Sequence, residues 1–165
     1  MARVVVSGAL LQGKAPQVVQ KHFDRFITTA VLFLEREVKV RTPQGVYGAQ
    51  GGLLGSIKAD IAGRGTPLVR GAVFTAHSYG EVVEKGRRPG RGMPPKGTLL
   101  RWIEMKFGLG REEAERIEFV VRRKIGQKGF EGAHMFEKAY KENLPQLQRM
   151  AQAEGLAIVG ELSRE

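Results

Sequence analysis

Between Pro16 and Val40 the apolar residues Val19, Phe23, Phe26, Ile27, Ala30, Leu34 and Val38 recur at steps of three and four. That spacing lays one apolar stripe along a long amphipathic helix, a face that folding has to cover. Pro16 suits the first turn, where its missing N–H is not needed. Glu35 and Lys39 form an i, i+4 pair on the exposed side. Thr42-Pro43 marks the end, because the residue before a proline is pushed out of the helical region.

The following residues change character. Residues 43–55, PQGVYGAQGGLLG, hold five glycines and read as an irregular, mobile loop. Ser56–Ile61 and Leu68–Ala76 alternate polar and apolar residues around the turn signal Gly63-Arg64-Gly65-Thr66-Pro67, which predicts an antiparallel hairpin. Tyr79–Val83 leads from the sheet into EKGRRPGRGMPPKG, residues 84–97, a second mobile loop. It has four glycines, three prolines and five basic residues.

Helical signals resume with Thr98 as a cap, Leu99, Ile103 and Phe107 on one face, and Gly108 as a stop. A further helix is predicted over Arg111–Ile125, acidic at its start and basic at its end as the helix dipole favours. Gly126 and Gly129 break the chain. A last helix is predicted over Ala133–Val159, with Phe136, Ala139, Tyr140, Leu144, Leu147 and Met150 as its apolar set. Pro145 should kink it or start a new helix. The fold class is α+β, a small antiparallel sheet packed against a long N-terminal helix and C-terminal helices. Residues 1–165 are expected to form a single domain.

Formal charge is +10, and half of that excess lies in residues 84–101, where six basic groups face one acidic group. Such a segment attracts polyanions, whether nucleic acid, an anionic membrane or an acidic protein face. It contains no aromatic residue to stack on bases, so it offers phosphate contact without base reading. Pro94-Pro95 stiffens it toward an extended arm suited to docking on a protein. Without cysteine, disulfides, thiolate metal sites and cysteine nucleophiles are excluded. The N-terminal residues lack a signal-peptide layout, and no apolar run approaches the ~20 residues of a membrane span. A soluble chain, intracellular when made, is expected.

No catalytic constellation emerges. His22, His77 and His134 are scattered without metal-ligand spacing, and His22 reads as a surface or edge residue. No metalloprotease, P-loop or nucleophile-elbow motif is present. Glu81 and Glu84 could form an acid–base pair, but no second polar group accompanies them, and a structural or surface role is the expectation. The chain is not expected to be an enzyme, nor to use a cofactor or metal.

The order of several short segments adds a resemblance. Val40-Arg41-Thr42-Pro43 precedes Gly52-Leu53-Leu54-Gly55-Ser56-Ile57, and Tyr79-Gly80-Glu81-Val82-Val83-Glu84-Lys85-Gly86-Arg87-Arg88 follows the hairpin. Then come Leu100-Arg101-Trp102-Ile103, Lys106-Phe107-Gly108, Lys128-Gly129-Phe130 and Met135-Phe136-Glu137-Lys138-Ala139. Over roughly residues 20–150 this resembles the neck or tail-completion proteins of long-tailed bacteriophages. Two departures stand out: the loop over Gln44–Ala49 is longer than usual, and His134-Met135 stands where a proline often precedes the phenylalanine.

The resemblance implies a structural protein of the virion, made in the host cytoplasm, that closes the tail end and joins it to the head. It implies a ring, sixfold by the usual tail symmetry, whose partners are further copies, tail-tube and head-connector proteins. Non-specific contact with DNA passing through the neck is a secondary expectation. Mapped onto this chain, Tyr79, Val83, Glu84 and Gly86 shape the end of the sheet and launch the basic loop, and Lys85 is among its contact residues. Arg87, Arg88, Arg91, Pro94, Pro95 and Lys96 reach a neighbour or the tube. Tyr47 and Leu53, in the 44–55 loop, supply a second contact.

Overall fold

The computed structural model describes residues 13–43 and 52–164. Its helices and short antiparallel strands bear out the α+β class. In chain order they are α1 (Ala15–Arg41), α2 (Gly52–Ser56), β1 (Ile57–Ala62), β2 (Arg70–Thr75), α3 (Gly80–Lys85), β3 (Gly86–Arg87), α4 (Leu100–Phe107), α5 (Arg111–Lys128), β4 (Phe130–Glu131) and α6 (Met135–Arg164). Contacts gather the chain into two compact units. One contains the described parts of Met1–Val40, Lys58–Phe74 and Lys138–Glu165; the other contains those of Arg41–Ile57 and Thr75–Glu137.

In the first unit α1 runs as the stripe predicts, to within one residue at each end. Ala30 and Val38 of the stripe are buried, together with Val31, whereas Phe23 is 52% exposed. The buried face is therefore turned slightly from the predicted one. Gly71 explains part of the turn: a Cβ there would lie 2.1 Å from Val31 Cγ2, so β2 rests directly on α1. Carboxylates of α1 fasten the hairpin. Asp24 accepts the Gly65 amide at 2.9 Å, and Glu35 accepts the Ala59 amide at 2.9 Å while pairing with Lys39. Glu35 thus faces the hairpin, not solvent.

α6 lies antiparallel along α1 in this unit: Asn143 donates to Glu37, while the α6 residues Glu154 and Glu161 meet His22. α6 is one helix through Pro145, which neither ends it nor starts another. The proline is exposed, and the carbonyl left without its N–H can be hydrated there.

His22 corrects the surface reading, being only 4% exposed. Its Nδ1 lies 2.5 Å from Glu154 and its Nε2 3.1 Å from Glu161, and Arg25 and Lys21 pair with the same two carboxylates. The hydrogen bond to Glu154 raises its pKa above 6.5, against desolvation, and Glu161 adds to the rise. Both ring nitrogens then donate, which only the imidazolium can do.

The second unit is built from short elements. Leu53 and Ile57 are buried, and Gly80 packs on Thr75, whose hydroxyl meets Ser56 Oγ at 2.6 Å. Residues 52–55, expected within an irregular loop, and Ser56, expected to open the first strand, form α2; residues 44–51 lie outside the described residues. Tyr79–Val83, expected as a lead-out, mostly belongs to α3. Leu100, Ile103 and Ala114 form a core between α4 and α5, flanked by Leu99, Leu109, Ile117 and Val121. Phe107, expected on that face, is 55% exposed; the buried set is Leu100 and Ile103. Gly108 closes α4 in the left-handed region, as its position predicts.

Because the folded state holds the His22 proton more tightly than the unfolded chain, its stabilisation is complete below about pH 6.5 and is lost as pH rises through the folded pKa. We expect the thermal midpoint to fall more steeply as pH rises above about 6.5 for the wild type than for His22→Gln. An NMR titration of the imidazole should place its midpoint above 6.5; a value at or below that would reject the double clamp.

Candidate assembly surface

The basic segment is not a free arm. On α5, Glu118, Arg122 and Gly126 stand four residues apart and so share one side of the helix. Residues 90–99 run back along that side and are held at each position. The Gly90 amide donates to the Gly126 carbonyl at 2.9 Å, and Arg122 Nε donates to the Pro94 carbonyl at 2.7 Å. Glu118 accepts the amides of Gly97 and Leu99, both at 3.1 Å. A Cβ on Gly126 would lie 3.0 Å from the carbonyl carbon and oxygen of Gly92, so the strap and helix meet backbone to backbone.

Glu118 is 1% exposed, and its burial is tolerable because each oxygen receives an amide. Leu99 is the N-cap residue of α4. The carboxylate therefore does for that helix start what a capping-box glutamate does, although it comes from another helix. Thr98, the predicted cap, donates instead to the Pro95 carbonyl at 2.6 Å.

The strap begins at the β3–β4 pair, where Gly86 opposes Glu131 and Arg87 opposes Phe130 in antiparallel register. Gly129, with φ +64°, is required there, since a Cβ would lie 2.0 Å from the Arg87 carbonyl oxygen. Arg87 turns back along its own loop: Nη2 donates to the carbonyls of Arg91 at 2.9 Å and Gly92 at 3.2 Å. Its side chain braces the loop and does not reach outward.

Glu84 also points inward. Its carboxylate accepts the Phe136 amide at 3.1 Å and the Glu137 amide at 3.0 Å, satisfying orphan donors in the first turn of α6. Backbone bonds from Ala133 to the Val83 carbonyl and from His134 to the Glu84 carbonyl complete the join. Leu53 is buried at 7% exposure and Pro94 is half-buried. The residues that do face solvent are Tyr79, Lys85, Arg88, Arg91, Pro95 and Lys96. Lys85 is paired with Glu81 at 2.8 Å, and Tyr79 packs on the His77 ring. Tyr47 lies outside the described residues.

Sequence reading missed Glu118, Arg122 and Gly126. One signal was available: Glu118 falls on the apolar face set by Ala114, Ile117 and Val121, where a carboxylate requires a partner. Beside the strap, Lys96, Arg116, Phe119 and Arg122 line an open groove of about 480 Å³ together with Glu112, Glu115 and Glu118. Among the described residues no three His, Asp or Glu side chains are grouped to hold a metal ion. Among them, too, no helix is long and apolar enough to cross a membrane. Comparison with protein-family models, with curated proteins and with solved structures finds no match to this chain.

Glu118→Ala leaves two amides without their acceptor, and we expect it to cost about 2–4 kcal/mol in chemical denaturation. Amide exchange at Gly97 and Leu99 should accelerate with it. Unchanged exchange at both amides would show that the carboxylate does not hold the strap.

Proposed function

We propose that this chain is a structural protein of the phage head–tail junction, closing the tail end and joining it to the head by assembling as a ring. The reading rests on the ordered segments from Val40 to Ala139 that resemble neck and tail-completion proteins. One structural observation supports it: the segment around Glu84-Lys85-Gly86 is hydrogen-bonded to the segment that opens α6 at Met135-Phe136. Two of the resembling segments thus form one joint, which gives a physical reason for them to occur together.

In this reading the strap is a prepared contact surface. Its backbone is fixed on α5, so Arg88, Arg91 and Lys96 can pair with acidic groups of a neighbouring copy, a tube protein or a head-connector protein without first ordering a loop. A sixfold ring follows from the tail symmetry that the resemblance implies. Positive side chains facing the neck channel would touch DNA phosphates without reading sequence. No step of this role calls for a catalytic group or cofactor.

Replacing Arg88, Arg91 and Lys96 together by Ala should leave stability within about 0.5 kcal/mol, because none has a carboxylate partner among the described residues. The same variant should yield no joined, infectious particles when it is the only source of the protein in an infected host. Normal yields of tailed particles would sink the assembly role of the strap.

A nucleic-acid-binding role is the second reading, favoured by Arg88, Arg91 and Lys96 on the strap and Arg116 and Arg123 on α5, which have no carboxylate partner among the described residues. Gel shifts at low and high salt separate the two. Tight duplex binding that weakens steeply with salt, without self-association, would favour it over the ring.

A further inference from the structure

α5 carries a second surface that the strap does not cover. At 3.6 residues per turn, Glu112, Glu113, Arg116, Phe119, Val120 and Arg123 fall on its outward side, away from Ala114, Ile117 and Val121. All six are exposed, including Phe119 at 53% and Val120 at 64%. An aromatic and a β-branched residue side by side on a solvent-facing helix surface, between charged groups, have the composition of an interface centre.

The charges on this side are ordered along the axis. Glu112 and Glu113 stand at the start, the apolar pair in the middle, and Arg123 beyond it, with Lys124 at the edge of this side toward Ile117. None of these four charged groups has a partner among the described residues, whereas Glu115 is paired with Arg111. The remaining exposed carboxylates without a partner among the described residues are Asp60 and Glu131, neither of which lies on α5. Arg116 stands between the acidic end and the apolar pair, yet with Glu112 and Glu113 at one end and Arg123 and Lys124 at the other the face is complementary to itself when two copies meet antiparallel. Each Glu112-Glu113 pair then opposes the Arg123-Lys124 pair of the other copy, and the apolar residues of both lie between. The two charged ends are about 16 Å apart along the axis, well inside one helix.

We infer that the outward face of α5 pairs with the same face of a second copy about a two-fold axis, forming a weak dimer. A head-to-tail contact would match charge equally well but leave the apolar pairs uncovered; only the two-fold arrangement brings both together. With one helix face per copy the contact is small, so the dimer exchanges with monomer. The inference does not rest on the head–tail reading, since it uses neither the strap arginines nor the ring.

Sedimentation velocity of the full chain from about 5 µM to about 300 µM tests it. The expected result is monomer passing to dimer, with the Glu112→Lys/Glu113→Lys variant and the Arg123→Glu/Lys124→Glu variant each at least about tenfold weaker. An equimolar mixture of the two variants should restore the dimer, because both charge contacts of the mixed pair are again opposite in sign. Phe119→Ser, at a half-exposed position, should also weaken association and keeps the test open if a reversal unfolds the chain by circular dichroism. A wild type that stays monomeric overturns the inference, as does a dimer indifferent to both reversals. Assemblies larger than a dimer in the mixture would make the contact head-to-tail. Binding of a random-sequence DNA duplex that is lost in Arg123→Glu/Lys124→Glu, with no dimer, would assign the face to nucleic acid.

Discussion

The second unit depends on one buried carboxylate. Glu118 takes the amides of Gly97 and Leu99, and through them fixes the start of α4 and the end of the strap against α5. Without it, a Gly- and Pro-rich segment has little apolar surface with which to hold itself down. The neighbouring anchors at Arg122 and Gly126 extend the same line along the helix, but each contributes a single hydrogen bond to the strap. Glu118 alone joins two hydrogen bonds, full burial and a helix start at one position.

The same device recurs across the chain. Asp24 and Glu35 accept hairpin amides, and Glu84 accepts two amides at the start of α6. Glu154 and Glu161 close on His22. In each case an acidic side chain is turned toward backbone donors or a buried cation, while Arg88, Arg91, Lys96, Arg116 and Arg123 stay at the surface without a carboxylate partner among the described residues. Net charge of +10 therefore understates how positive the outside is. Six of the acidic groups that would balance it, Asp24, Glu35, Glu84, Glu118, Glu154 and Glu161, are engaged in holding the fold.

This also explains what was legible in the sequence. α1, the hairpin, α4 and α5 follow from period and from Pro and Gly punctuation, since those signals are local, although α5 runs through Gly126, where a break was expected, and stops at Gly129. The role of Glu118 is not local: its partners lie about twenty residues earlier in the chain. Glu84 was singled out from its segment, yet its work on α6, 52 and 53 residues away, could not be read there. Arg87 looked like its neighbours Arg88 and Arg91, and only the tight β3–β4 corner turns it back on the loop. His22 looked like an edge residue because the carboxylates that make its burial tolerable are more than 130 positions later. Tertiary partners, not propensity, decided Glu118, Glu84 and His22, and loop geometry decided Arg87. Of the two outcomes expected at Pro145, a new helix is not what forms: a proline on the exposed side of a helix loses one hydrogen bond without ending it.

A basic segment anchored in this way has consequences for any partner. If residues 88–99 were a free arm, docking would have to order about a dozen residues at roughly 1–2 kcal/mol each, on the order of 10–20 kcal/mol in all. That cost would consume most of what a standard-sized contact returns. Held on α5, the strap has already met it during folding, and its arginines and lysine face solvent from a fixed backbone. The coupling runs both ways. A substitution beneath the strap, at Glu118 or Gly126, touches no partner, yet it hands the ordering cost back to the binding step. Assembly should therefore be sensitive to buried residues of α5 well before the unit itself unfolds.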